Sequence, residues 1–351
     1  MTNTDAQDEQ VRVLLANAEK AEAQDRPTAE SLAVLRAGGA MALRTPVAYG
    51  GTGADAGTVA RALAEWGRAC PSTAWVIGTS NTGKTIVADA FGDEVQREYY
   101  ADPNGLACGS GGPTGSGERV ADGVRVTGRW PNVSGCEDAD WAVLGLMVDG
   151  TYCWAAIPVA DLSIDRTWRM AGMRGSGSHT LVADDLLVRA DRVVPASPPT
   201  LNTRLLFAIT VLAPMVGAAR GALDVTTAMF ASDRKPYMTA YARMGESPGA
   251  RHWLADAARL VGRAERTMLA VAAASDDVDL DPAEGPRLSM DLADSGRDCR
   301  AALELMLDLN GSSGFKTASS LQRHWRDVAV GTRHRQLNPY LAVEDFGRVL
   351  A

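Results

Sequence analysis

The sequence predicts an α+β protein whose helices come first, whose β domain lies in the middle and whose chain ends in a helical bundle. Three observations predict it. Apolar residues recur at helical spacing up to about residue 104, β-branched and aromatic residues gather in short runs from Gly105 to about Pro195, and helical spacing returns after the connector Pro195–Pro199. These changes divide the chain into an N-terminal helical domain over 1–104, a central antiparallel β domain over 105–197 and a C-terminal helical bundle over 198–351.

In chain order, Gln10–Gln24 is rich in Ala, Leu, Glu and Lys and predicts a helix, as do the mixed-charge segments Val59–Cys70 and Glu94–Ala101. Between the first two, Thr45–Gly57 carries Pro46 and four glycines and predicts a loop. Strands are predicted over Val124–Trp130, Trp141–Val148, Tyr152–Val159 and Thr180–Val188. Asp149-Gly150 joins two of these runs as a tight hairpin, because both positions favour positive φ, and Asp122-Gly123 does the same one hairpin earlier. On Leu288–Asn310 the residues Leu292, Cys299, Leu303, Met306 and Asn310 form one stripe, with Gly311 placed as a C-terminal cap. A last helix is predicted from about Ser319 to His334 or beyond, and Asp276–Gly285 is an acidic loop between helices.

With 351 residues the chain is long enough for a substantial core in two or three layers. The net charge of −8, without a basic tract, disfavours nucleic acid as a partner and favours a small-molecule ligand. No run of eighteen uncharged apolar residues appears, so no membrane span is expected. The acidic first thirty residues do not resemble an export signal, and the expected location is cytoplasmic. Five scattered cysteines without a CxxC pair predict reduced thiols, neither a disulfide framework nor a metal site.

Several strings carry candidate chemistry. In Gly128–Gly145 (GRWPNVSGCEDADWAVLG), Ser134-Gly135 is in the simplest reading a turn after a strand, flanked by Trp130 and Trp141. Trp168–Ser178 (WRMAGMRGSGS) is a glycine-rich loop containing Gly172, Arg174, Gly175 and Ser178, followed by His179. In Leu321–His334 (LQRHWRDVAVGTRH) helical spacing puts Arg323, Asp327, Val330 and His334 on one face, with Leu321, Trp325 and Val328 beside it. That face could equally be a solvated one carrying an Arg323–Asp327 ion pair. Asn310–Gly314 (NGSSG) offers backbone N–H groups and small hydroxyls suited to phosphate, and Arg234 follows the first long helix of the bundle.

These strings and the order of the three regions resemble the acyl-CoA dehydrogenase family along essentially the whole chain, most closely its two-component flavin-dependent monooxygenase branch. That branch includes the oxygenase components of hydroxyphenylacetate hydroxylase and polyketide quinone hydroxylases. The resemblance implies a protein that takes reduced FMN or FAD from a separate flavin reductase, uses O2 as co-substrate and oxygenates an aromatic or polyketide-type molecule through a flavin hydroperoxide. By the same resemblance, Trp130, Ser134 and Gly135 lie against the flavin ring, and the Ser134 hydroxyl hinders the proton loss that would waste the oxidant as peroxide. Arg174, Gly175 and Ser178 are implied as further site residues of the flavin and substrate pocket, while His179 is read as structural. Arg234, Asn310, Gly311, Ser313 and Gly314 would meet flavin phosphate, often from a neighbouring subunit of a homotetramer or dimer. His334 would pair with or take the substrate proton, since imidazole with an ordinary pKa of about 6.5 suits either role.

The chain also departs from that pattern. No histidine occurs before His179, where aromatic hydroxylases of the branch carry a pocket His, which leaves Asn81, Thr82 or Lys84 as substrate-binding candidates. The region after the Arg-Asp pair reads GTRHRQLNP and lacks the carboxylate that an acyl-CoA desaturase needs as base. Desaturation and N-oxygenation of an amine stay as alternatives. Gly78–Thr85 (GTSNTGKT) matches the phosphate-binding loop G-x-x-x-x-G-K-[ST], and Ala142–Asp149 could be its companion strand. A nucleoside triphosphatase would need parallel β-α units, whereas the following β region predicts hairpins. A flavin-free binding protein is the other different-class alternative.

Overall fold

The structure, a computed structural model, describes residues 3–351. The chain forms two compact units: one takes the chain up to Asp55 with Ser72–Met170 and Arg174–Thr200, the other Ala56–Pro71, Ala171–Met173 and Leu201–Ala351. The first unit holds helices α1 (Asn3–Ala23) and α2 (Ala29–Ala37), while α3 (Ala56–Ala69) belongs to the second. Nearly all of α4 (Pro71–Ala90), and all of α5 (Asp93–Tyr99), lie in the first.

Seven strands complete the first unit: β1 (Ala107–Val120), β2 (Gly123–Val133), β3 (Trp141–Val148), β4 (Thr151–Pro158), β5 (Ser163–Asp165), β6 (His179–Val188) and β7 (Val193–Pro195). They form one sheet in the order β5-β6-β2-β1-β3-β4-β7. Asp149 and Gly150 take φ 48° and 78° and close the β3–β4 hairpin with Val148 opposite Thr151. The sheet is mixed where the sequence predicted an antiparallel one: five of its six pairings are antiparallel, and β1 runs parallel to β3. β3 is covered on both faces, Ala142, Leu144, Leu146 and Val148 packing into one cluster and Val143 into another, which explains its unbroken apolar run.

The hairpin expected at Asp122-Gly123 forms, with Val120 opposite Gly123, but the extent of its first strand, β1, was not assigned, because GSGGPTGSG has low strand propensity. Its glycines make room instead. A Cβ on Gly115 would stand 2.3 Å from the Trp130 ring, which is fully buried with Val126, Leu144, Leu146 and Leu181 in the core of one sheet face. The opposite face packs Ala107, Val143 and Ala156 against Val87 of α4, Phe91 just after it, Tyr99 of α5 and Tyr100 just after that. Five inter-strand gaps separate β6 from β7. Flat, they would span about 24 Å, yet the five steps from Val188 to Val193 reach about 18 Å at most, so the sheet curls. Glu98 braces this short crossing by accepting from Arg189 and Arg192, each at 2.6 Å.

The second unit is helical: α3 with α6 (Leu201–Ala231), α7 (Pro248–Ser275), α8 (Gly285–Asn310), α9 (Ser320–Gly331) and α10 (Pro339–Leu350). α6 is long and apolar enough to cross a membrane, but 89% of its most apolar stretch is buried inside the protein. Ser247 caps α7 by accepting from Ala250 N–H, and Gly311 at φ 59° ends α8. The predicted stripe of α8 is buried throughout. The predicted last helix is divided: α9 stops at Gly331, and Asn338-Pro339 starts α10, since a proline disfavours helical backbone in the residue before it.

Candidate functional site

Two strings some forty residues apart converge on one buried hydroxyl network. At the end of β2 the chain turns through Gly135 at φ 71°, whose N–H donates to Ser176 O at 2.8 Å. No side chain fits there, because a Cβ would stand 2.5 Å from Val76 Cγ1 of α4. The Ser134 hydroxyl accepts from the Trp75 indole N–H at 3.1 Å and is hydrogen-bonded to Ser178 Oγ at 2.8 Å, which is bonded to Ser176 Oγ at 2.7 Å. All three serines are buried. The indole donor fixes the Ser134 oxygen, so the site offers an oriented hydroxyl rather than a spinning one. Sequence reading named Ser134 and Ser178. Trp75 and Ser176 were missed, Trp75 because an aromatic residue on an apolar helix looks like core.

Around the network the predicted residues fare differently. Trp130 is fully buried in the sheet core, with its indole N–H donating to Gly145 O at 2.7 Å. Arg174 pairs with Asp25 at 2.8 Å. Buried His179 accepts from Trp168 N–H at Nδ1, 3.2 Å away, and burial pulls its pKa below the ordinary value despite Glu137 nearby.

The phosphate-loop string lies within α4, where backbone N–H groups serve the helix and cannot cradle phosphate. Lys84 is buried and donates to Thr45 Oγ1 at 3.0 Å and Pro103 O at 2.6 Å; burial lowers its pKa to about 8. Asn81, a substrate candidate, is committed to structural bonds. Its fully buried amide donates to Ala40 O and Ile77 O and accepts from Arg44 N–H, which ties α4 to the Ala40–Arg44 segment. Thr82 remains half-buried, donating to Gly78 O at 3.3 Å.

In the second unit, His334 is not on the α9 face the spacing predicted, because α9 has ended at Gly331. It opens a short 3₁₀ turn, and its Nδ1 accepts from Gln336 N–H at 3.4 Å, which leaves the ring proton on Nε2. Burial lowers its pKa to about 4, so the ring is neutral near pH 7. Asp327 accepts from Met173 N–H. Arg234 and Asn310, named separately from sequence, are brought together: the guanidinium donates to Asn310 O at 2.5 Å and to Asn310 Oδ1 at 3.4 Å. Gly311 and Ser313 beside them are exposed, and Gly314 is buried.

Models of the acyl-CoA dehydrogenase N-terminal and C-terminal domains match residues 5–104 and 209–339. The pigment production hydroxylase of Rhodococcus sp. (strain ATCC 21145) is 30% identical over 362 residues, covering 94% of this chain and 91% of that protein. The chain belongs to the acyl-CoA dehydrogenase family. Within the family it is similar to the FADH(2)-dependent resorcinol hydroxylase, oxygenase component, of Rhizobium sp. (strain MTP-10005), 29% identical over 92% of this chain and 87% of that protein. The structure of XiaF from Streptomyces sp. in complex with FADH2 and glycerol matches with a TM-score of 0.92 and 25% identity, covering 99% of this chain and 96% of that one.

Proposed function

We propose that this chain is the oxygenase component of a two-component flavin-dependent monooxygenase that hydroxylates an aromatic small molecule, using O2 and reduced FMN or FAD delivered by a separate reductase. The observation that carries the reading is the buried Trp75–Ser134–Ser178–Ser176 network. Its oriented hydroxyl suits a flavin ring N–H; separately, in the second unit, the Arg234 guanidinium beside the Asn310–Gly314 segment suits a phosphate. When bound, reduced flavin supplies the two electrons with which O2 gives one atom to substrate and one to water. Ser134 would accept from the ring N–H of bound reduced flavin and so slow loss of that proton. Ser178 and Trp75 hold Ser134 in place. His334, neutral with its proton on Nε2, orients the substrate oxygen by donating to it, and its low pKa makes it a poor base at neutral pH. An anionic partner would raise that pKa.

The same reading makes the protein a cytoplasmic homodimer or homotetramer, with Arg234 and Asn310–Gly314 serving a neighbouring copy's flavin. The test is anaerobic titration with reduced FMN and FAD, followed by oxygen and a panel of phenols, measuring product labelled from 18O2 and peroxide released. Labelled product is expected from at least one phenol. Failure to bind either reduced flavin, or peroxide alone with every phenol, overturns the reading.

A further inference from the structure

Three segments of the first unit meet beside the serine network, and one buried imidazole reaches all of them. The turn after β2 and the start of β6 are laced together. Gly135 N–H donates to Ser176 O at 2.8 Å, Ser134 Oγ is bonded to Ser178 Oγ at 2.8 Å, and the Cys136 thiol donates to Gly177 O at 3.7 Å. His179 is the next residue, opposite Val133 in the β2–β6 pairing, and its own N–H donates to Gly177 O at 2.8 Å. The third segment is the chain just after β5, which stays beside β6 through the Thr167 and Thr180 hydroxyls, bonded at 2.7 Å. There Trp168 N–H donates to His179 Nδ1 at 3.2 Å. A neutral imidazole that accepts at Nδ1 carries its proton on Nε2. That Nε2 lies 3.6 Å from Glu137 Oε2, and Glu137 Oε1 accepts from Arg166 Nε at 2.8 Å.

We infer that His179 is a positioning residue for the hydroxylation: its neutral ring fastens the Trp168 backbone and the Glu137 turn to the start of β6, and a second proton undoes the fastening and loosens Ser178 and Ser134. The inference rests on the monooxygenase reading for its consequence, but not for its geometry. A second proton would sit on Nδ1 and point at the Trp168 N–H, so two donors would face each other and the ring would have to turn. Burial opposes that proton most; Glu137 and Asp25 favour it, Arg166 and Arg169 oppose it, and the folded protein holds this imidazole below its ordinary value. As pH falls below about 6.5 the unfolded chain therefore takes up the proton first. The stability that His179 adds is present above that pH and is lost as pH drops through the folded value. Ser178 is the adjacent residue, and its hydroxyl joins Ser134 to Ser176. Gly177 beyond it, at φ 50°, lies so close to Asp25 O that a Cβ would stand 2.8 Å away, so the segment has little room to absorb a shift at His179. Misplacing reacting groups by about 1 Å can cost on the order of 100-fold in rate.

The experiment compares wild type with His179→Asn and His179→Phe. Asn keeps an acceptor where Nδ1 stands but does not titrate, whereas Phe fills the space of the ring and accepts nothing. Site-resolved amide hydrogen exchange, without flavin, follows Trp168 and Gly135, each rate divided by that of the unstructured chain at the same pH. In wild type both amides should lose about tenfold or more of their protection between about pH 7.5 and 4.5. In His179→Asn both should stay protected over that range, and in His179→Phe both should exchange fast at every pH. With reduced flavin and O2, wild type should yield less product per O2 and more peroxide than His179→Asn as pH falls over the same range. Loss of protection at Trp168 with Gly135 unmoved overturns the inference, because the ring then does not govern the serine network. A pH response that His179→Asn shares also overturns it, as does wild-type protection that ignores pH. Should His179→Phe fail to fold, wild type and His179→Asn still decide it. If wild type yields no product from any phenol, the monooxygenase reading fails, while the two amides still report whether His179 reaches Gly135.

Discussion

Ser134 has two hydrogen-bond partners before any ligand arrives, and each limits what its hydroxyl can do. Ser134→Ala leaves the Trp75 indole and Ser178 short of a buried partner, so it should cost about 1–3 kcal/mol in a denaturant melt and shift oxygen use from product to peroxide. His334→Gln should lower kcat. Because the His334 pKa is about 4, the wild-type rate should show no inflection from this group between about pH 5 and 8, and one there would contradict its assigned neutral state. Lys84 gives a stability signature. Its pKa falls from 10.5 unfolded to about 8 folded, so between these values the unfolded chain binds more protons and folding stability rises with pH. Lys84→Met should flatten that rise relative to wild type in alkaline urea melts. Ser134, Ser178 and the Arg234–Asn310 pair were legible as separate strings, but not as bonded groups, because bonding depends on which loops the sheet brings together. The burial of Trp130 could have been read: counting in twos along β2 puts it on the face of Val124 and Val126, which is core.

At the scale of elements, hairpin β3–β4 and the long helices were legible because their signals are local: a turn dipeptide, a stripe, a cap. The extent of β1 was not, since its role is to be thin where Trp130 is wide. Gly115→Val should therefore destabilise the first unit, by at least about 1–3 kcal/mol, despite its better strand propensity. An unchanged thermal midpoint would show that the ring can move aside. α4 carries a motif that its context overrules. Its polar residues match a nucleotide loop letter by letter, yet Asn81 and Lys84 bind the Ala40–Arg44 segment, Thr45 and Pro103, and Ser80 accepts from Ala107 N–H. A motif is a set of letters until its backbone is known, and backbone already used by a helix has no N–H groups to give.

For the whole molecule, the proposed assembly expects sedimentation equilibrium to return two or four times the mass of one chain. A single-chain mass at micromolar concentration would remove the shared-flavin role of Arg234. Order of regions, sheet between helical segments and family were all readable, because they depend on patterns spread over many residues. The grouping of α3 with the C-terminal helices was not, because it rests on close backbone approach, with Gly217 and Ala64 too near to admit a Cβ. One further property follows from the five cysteines, all buried and none bridged. Burial drives the Cys136 thiol up to about 11 and Cys299 to about 12, and pushes Cys108 well above the ordinary thiol value. Thiolates, not thiols, are the forms that an escaped oxidant attacks. Peroxide released beside this protein would thus meet no exposed thiolate.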